Sequence, residues 1–155
     1  MDVIMTSVKT KWIYLLGFGG LLPFLGLSLS SLMAIELPLI GNPLPALVSY
    51  GAVILSFLSG ILWGRALHRA DTESTQGLII TSNVFALLAW LTLLLNTIFW
   101  SLLLQIVGFA LVLFFERKLA RGTTMTSQSR YYPMRLMLTV GVIVCQILVL
   151  GNHII

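Results

Sequence analysis

The dominant pattern along the chain is a series of long apolar runs separated by short polar stretches. A helix that crosses a bilayer needs roughly 20 mostly apolar residues. Apolar runs of about that length occupy residues 12–33, 45–67 and 133–151. Turn-forming or polar segments separate them, at residues 34–44, 68–76 and 116–132. The pattern predicts transmembrane helices joined by short loops.

A longer run, residues 77–115, contains no charged residue. As one helix it would extend about 58 Å at 1.5 Å per residue, whereas the hydrocarbon core of a bilayer is about 30 Å thick. Asn96 and Thr97, near its middle, offer a turn, so we expect a helical hairpin with spans 77–95 and 98–115. The whole chain, 1–155, is then predicted to be a single membrane domain, an all-α polytopic bundle of five spans.

Composition supports this interpretation. Hydrophobic residues make up 58% of the chain and charged residues only 9%, whereas ordinary soluble domains carry about 25% charged residues. So few charges could not cover a soluble surface of this size, and we expect lipid to cover most of it.

The basic residues predict the orientation of the bundle. With five spans, the N-terminus and the second and fourth loops share one side of the membrane. That side holds all nine basic residues: Lys9, Lys11, Arg65, Arg69, Arg117, Lys118, Arg121, Arg130 and Arg135. The positive-inside rule then predicts a cytoplasmic N-terminus and an outside C-terminus. Because these residues flank apolar segments and form no patch with interleaved aromatics, we expect no nucleic-acid partner.

Few residues suggest chemistry. The sequence contains no GxSxG motif, no HExxH motif and no phosphate loop. His68 and His153 fall on opposite sides of the membrane in this topology, so they cannot share a metal, and Cys145 is interpreted as a small buried apolar side chain. We expect no cofactor and no metal, and the sequence favours a protein that is not an enzyme. Glu116 and Arg135 lie near span ends, where long side chains can extend to the interface.

The second span carries a stripe of small residues, Ala52, Ser56, Gly60 and Gly64, at four-residue spacing. Such a stripe lets two helices approach closely in a membrane. We predict that it packs inside the bundle; the alternative is a docking groove for a partner helix or a lipid tail.

A second group of residues lies at the predicted cytoplasmic span ends. Tyr131, Arg135 and Thr139 share one helical face at i, i+4 and i+8. These residues fit an aromatic belt with a basic stop. The sharper hypothesis is a pocket for an anionic head group, formed by Trp63, Arg65, His68, Tyr131, Arg135 and Thr139.

Three amides, Asn83, Gln105 and Gln146, are predicted to be buried within spans. Gln105 and Gln146 should lie at similar depth toward the outer leaflet. We expect them to form a mutual hydrogen bond worth about 0.6–2 kcal/mol.

Two of these stretches resemble a known family. Residues 50–60 (YGAVILSFLSG) with Trp63-Gly64 resemble the signature of the domain-of-unknown-function 3429 family, also called the transmembrane protein 69 family. Leu16-Gly17, Leu22-Pro23-Phe24, Tyr132, Arg135 and Thr139 also fit its pattern, and the resemblance covers roughly residues 12–150. Many relatives carry histidine before the Trp-Gly pair, where this chain has Leu62. The resemblance implies a multi-pass protein of the bacterial inner membrane, and no established activity.

Two functions lead at this point, and a membrane-embedded enzyme ranks third. The leading hypothesis is an accessory or assembly factor that packs against a larger complex of the membrane, because the chain has almost no soluble mass and no catalytic constellation. Its partners would be the lipid bilayer and another membrane protein or a second copy of itself. The alternative is a small transporter or a lipid- or quinone-binding protein, which predicts a cavity beside the second and fifth spans.

Overall fold

The computed structural model describes the backbone of residues 2–67, 73–120 and 128–154, and the side chains of residues 11–67, 75–118 and 133–153. Within these ranges the chain forms six α-helices and no named strand. The helices are α1 (Asp2–Gly19), α2 (Leu22–Leu32), α3 (Pro43–Leu67), α4 (Glu73–Leu94), α5 (Ile98–Ala120) and α6 (Gln128–Ile154).

Five helical segments of the described chain are long and apolar enough to cross a membrane. They are Lys11–Leu32, Pro43–Leu67, Thr75–Leu94, Ile98–Lys118 and Pro133–His153. The polytopic five-span bundle expected from the sequence is therefore confirmed. Which side of the membrane each terminus occupies remains a prediction.

The first span is not the continuous helix that the apolar run 12–33 suggested. It breaks between α1 and α2, at Gly20 and Leu21. Pro23 explains the break, because its ring nitrogen carries no hydrogen to donate to the carbonyl of Gly19, four residues earlier. At the same break, the Tyr50 hydroxyl of α3 donates to the carbonyl of the next residue, Gly20, at 2.9 Å. The neighbouring span thus supplies a hydrogen bond to one of the carbonyls at the break.

The connections that the structure describes are tight. Between α2 and α3, Leu37 and Gly41 exchange backbone hydrogen bonds, and Gly41 has a positive φ of 68°. Asn42 Oδ1 then accepts from the backbone N–H of Leu44 at 2.9 Å. This cap starts α3 at Pro43, two residues before the predicted start. Between α4 and α5 the turn at 95–97 forms the expected hairpin, and the Ser101 hydroxyl donates to the Thr92 carbonyl at 2.8 Å across it.

The bundle is organised around α3, which packs against α2, α4 and α5, while α6 packs against α2, α5 and α1. Large apolar side chains cover the outside, as expected of a lipid-facing surface. Polar side chains lie inside: Ser28, Ser59, Thr75, Ser82, Thr92, Ser101, Gln105, Glu116, Arg135, Thr139 and Gln146 are buried. Polar groups inside a bundle of apolar helices need partners there, because lipid offers none.

Candidate functional site

A cavity of about 390 Å³ lies between the first span, α3 and α6. Helix α1 forms part of its wall and packs on α6. At that contact, a Cβ placed on Gly17 would lie 3.1 Å from Leu138 Cδ1. Side chains of α1 and α3 do not pack together in the same way, and the space between them is the cavity.

Most of the cavity wall is apolar. The first span contributes Ile13, Leu16, Gly17, Gly20, Leu21 and Phe24, and α3 contributes Ile54, Phe57, Leu58 and Ile61. Phe109 of α5 and Met134, Leu138 and Val142 of α6 complete the apolar wall.

The mouth of the cavity opens toward the lipid. Leu16 of α1 and Phe57 of α3 both line the cavity, yet their side chains are 69% and 67% exposed. The inner wall is formed by Phe24 and Phe109, each 1% exposed. A molecule dissolved in the bilayer could therefore enter sideways between α1 and α3, without passing through water.

The polar lining of the cavity includes Arg135, on the first turn of the fifth span. Its Nε donates to Glu116 Oε2 of α5 at 2.9 Å. Arg135 is 7% exposed and Glu116 only 2% exposed. The expectation that these two side chains extend to the interface is wrong, because each finds its countercharge on the neighbouring helix, where pairing offsets part of the desolvation cost.

Thr139 adds a second polar group to the cavity wall, one helical turn after Arg135. Its side chain is 2% exposed, and its Oγ1 has no hydrogen-bond partner. Glu116 Oε1 is likewise buried and unpartnered. A buried hydroxyl without a partner costs free energy, so its presence on a cavity wall points to a ligand.

The predicted head-group pocket is assembled only in part. Arg135 and Thr139 share the cavity wall, as their spacing predicted. Trp63 and Arg65 do not line the cavity, and the Trp63 side chain is 39% exposed. Trp63 is a correction to the prediction, because helix α3 turns it toward lipid. His68 lies outside the described residues, and so does the side chain of Tyr131.

The residues of the small-residue stripe of α3 differ in how deeply they are buried. Ala52 is 3% exposed and Ser56 is half-buried, whereas Gly60 is exposed. A Cβ placed on Gly60 or Gly64 would meet nothing within 4 Å. Internal packing therefore holds only at the Ala52 end, and this corrects the prediction for Gly60 and Gly64.

On α3, the glycine that permits close packing is Gly51, which the stripe did not include. A Cβ on Gly51 would overlap Gln105 Oε1 and lie 3.2 Å from Gln146 Nε2. The four-residue spacing did not indicate Gly51. The pair of glutamines could have done so, because their amides need space on the facing helix.

The amides themselves behave largely as expected. Gln146 Nε2 donates to Gln105 Oε1 at 2.7 Å, and both side chains are fully buried. Asn83 is a correction, since it is exposed and donates to the Ile79 carbonyl of its own helix.

Among the residues that the structure describes, no group of three or more His, Cys, Asp or Glu side chains could hold a metal ion. Cys145 is buried within that part of the chain, and its sulfur forms no disulfide.

Comparison with known proteins gives two matches. A family model described as "Protein of unknown function (DUF3429)" matches residues 9–151. A curated relative, "Transmembrane protein 69" of Xenopus tropicalis, is 36% identical over 127 residues, which cover 81% of this chain and 48% of the relative. The chain therefore spans about half the length of this relative. No solved structure matches the chain significantly.

Proposed function

The chain belongs to the DUF3429 family, and from that premise we propose that it binds a small lipid-soluble molecule taken up sideways from the bilayer. The family description states no activity, so the proposal depends on the geometry of the site. It favours the second of the two functions considered from the sequence, a lipid- or quinone-binding protein.

The observation that carries the proposal is the combination of an apolar cavity, a mouth among lipid-exposed side chains and a buried polar group on the cavity wall. The volume of about 390 Å³ falls within the range of roughly 300–1,000 Å³ that is typical of small-molecule sites. Leu16 and Phe57 stand at the mouth, and Thr139 has no partner inside. An apolar body with one polar end fits this arrangement.

The ion pair beside the cavity adds support. Ionisable side chains buried within a membrane bundle are costly and usually mark a functional site. Arg135 is the member of the pair that lines the cavity, whereas Glu116 stands behind it. The pair thus supplies hydrogen-bond donors to the cavity without a net charge.

The proposal can be tested by filling the cavity. Ile54→Trp places a large side chain into it from α3, and Val53→Trp places the same side chain at the adjacent residue, which is 62% exposed to lipid. We expect native mass spectrometry of the detergent-purified protein to detect a bound small molecule on the wild type and on V53W, and to find it lost from I54W. Equal occupancy in all three proteins would contradict the proposal.

An accessory or assembly role is the second candidate function, favoured by the open small residues Gly60 and Gly64 on α3. A partner helix could approach α3 closely there, because a Cβ at either position would meet no atom within 4 Å. Purification in mild detergent should then recover a stoichiometric membrane partner, and Gly60→Leu should release it. Gly77→Leu is the matched control, because Gly77 of α4 also has open space at its Cβ position. Recovery of the chain alone would count against this role.

The location that we propose is the inner membrane of a bacterium, in keeping with the family resemblance. Five spans and the match to a transmembrane protein support a multi-pass membrane protein. The finer location is a proposal that separation of inner and outer membranes on a density gradient would test.

A further inference from the structure

The charge of the cavity's polar end restricts what can bind there. Arg135 and Glu116 are ion-paired at 2.9 Å and both are buried, so together they bring no net charge to the site. An anionic head group would leave one uncompensated negative charge in a low-dielectric region, which is strongly unfavourable. A cationic head group would be repelled by the Arg135 guanidinium, because Arg135 lines the cavity and Glu116 does not. An uncharged head group avoids both costs.

The available hydrogen bonds define that head group further. A guanidinium carries five N–H donors, and Glu116 accepts from one of them, at Nε. Thr139 offers its unpartnered hydroxyl on the same wall, one turn along α6. Since Arg135 and Thr139 both line the cavity and both carry donors, the matching atom on a ligand is an acceptor such as a carbonyl oxygen.

The shape of the inner wall favours a ring. Phe24 and Phe109 pack edge to face, with centroids 6.1 Å apart, and both line the cavity. Phe57 lines it nearer the mouth. Aromatic walls bind planar rings by offset stacking and edge-to-face contact, which flexible acyl chains do not match.

Resting on the proposed function, we infer that the ligand is an uncharged planar ring that carries a carbonyl oxygen, a molecule of the quinone class. The ring lies among Phe24, Phe57 and Phe109, its carbonyl oxygen accepts from Thr139 and Arg135, and any apolar tail leaves through the mouth. Glu116 acts as a selectivity residue, since its negative charge excludes anionic lipids from Arg135.

The experiment uses the full chain in nanodiscs of phosphatidylcholine, which has no net charge. Three probes are titrated separately: decylubiquinone, dioctanoylglycerol as a neutral ester lipid, and lysophosphatidylglycerol as an anionic lipid. We expect decylubiquinone to bind more tightly than either lipid. Thr139→Val, which has the same shape without a hydroxyl, should weaken decylubiquinone binding about fivefold, the loss of one hydrogen bond. Thr139→Ser, which keeps the hydroxyl, should retain it.

Glu116→Gln tests the selectivity argument, because it removes the countercharge and leaves Arg135 positive. Binding of lysophosphatidylglycerol should rise about tenfold or more, as expected when a buried charge gains its only counterion. Thr139→Val keeps the inference testable if E116Q does not fold.

The outcomes separate this inference from the proposed function. If dioctanoylglycerol or lysophosphatidylglycerol binds more tightly than decylubiquinone, and I54W abolishes that binding, the cavity binds lipid and the quinone inference is overturned. Equal decylubiquinone affinity in wild type and T139V also overturns it. If I54W changes the binding of no probe, the proposed function itself fails.

Discussion

Gln146 Nε2 donates a 2.7 Å hydrogen bond to Gln105 Oε1, and this bond joins α6 to α5 in the bundle interior. Gln105 Nε2 in turn donates to the Val48 carbonyl of α3 at 2.7 Å and to Thr92 Oγ1 of α4 at 3.0 Å. One side chain thus connects four helices. No lipid can replace these bonds, since the amide is fully buried.

Gln105→Leu should therefore destabilise the bundle. It removes three hydrogen bonds of about 0.6 kcal/mol each and leaves the Gln146 amide buried without a partner, so we expect a loss of about 2–4 kcal/mol in the free energy of unfolding. Titration with SDS in mixed micelles would measure it. Asn83→Leu is the control, because that amide is exposed, and it should change stability by less than about 0.5 kcal/mol. Equal effects of the two variants would contradict the network.

Gly51→Ala should also destabilise, because the added methyl group overlaps Gln105 Oε1. We expect a cost of about 1–3 kcal/mol from overpacking and a lower melting temperature. Gly60→Ala, nine residues further along α3, meets open space. It should be neutral or stabilise by up to about 1 kcal/mol through helix propensity. If G60A proved the more damaging variant, the orientation of α3 described above would be wrong.

The buried ion pair should respond differently to single and double substitution. Arg135→Met or Glu116→Met alone leaves a buried charge without its partner and should cost about 3–5 kcal/mol. The double variant R135M/E116M removes both charges and should recover most of that loss. SDS titration of all four proteins gives the coupling energy directly. Additive effects of the two single substitutions would show that the pair does not interact.

Thr139→Val should have opposite effects on stability and on binding. Since Thr139 Oγ1 has no partner, its removal should leave the ligand-free protein unchanged or stabilise it by up to about 1 kcal/mol. Ligand binding should weaken at the same time. Thermal unfolding in detergent, with and without decylubiquinone, measures both quantities. A clear loss of stability without ligand would mean that the hydroxyl has a structural partner.

The predicted orientation can be tested with fusions expressed in a bacterial inner membrane. Alkaline phosphatase, which is active only outside the cytoplasm, should be active when fused after Ile155. A fusion in the loop around residue 70 should be inactive, because that loop carries basic residues and should stay inside. Reversed activities would reverse the topology.

The spans could be predicted from the sequence because the signals for them are local. The length of the run 77–115 required a turn, and Asn96-Thr97 offered one; the structure ends α4 at Leu94 and begins α5 at Ile98. The Gln105–Gln146 hydrogen bond could also be predicted from the sequence, since both amides lie at similar depth and lipid offers neither of them a partner.

The ion pair and the cavity could not be predicted in the same way. A charged residue at a span end gives the same sequence pattern whether its side chain extends to the interface or turns into the bundle. The outcome depends on which residues the neighbouring helix places beside it. Glu116 and Arg135 lie on different helices, so their contact depends on how α5 and α6 are rotated. Likewise, the spacing of Ala52, Ser56, Gly60 and Gly64 defines a face of α3 but not which helix meets it.

The hydrogen bond from Tyr50 to Gly20 also has a consequence for biogenesis. When the first span enters the membrane, its helix is broken at Gly20 and Leu21, and the Gly20 carbonyl lacks the Tyr50 hydroxyl until α3 arrives. An unsatisfied carbonyl in hydrocarbon costs several kcal/mol. The Gly20 carbonyl of the first span therefore has its hydrogen bond only when the second span packs against it. Stable integration of the first span is then expected to require synthesis of the second. Insertion of this chain is expected to proceed with the two spans leaving the translocon together rather than one at a time.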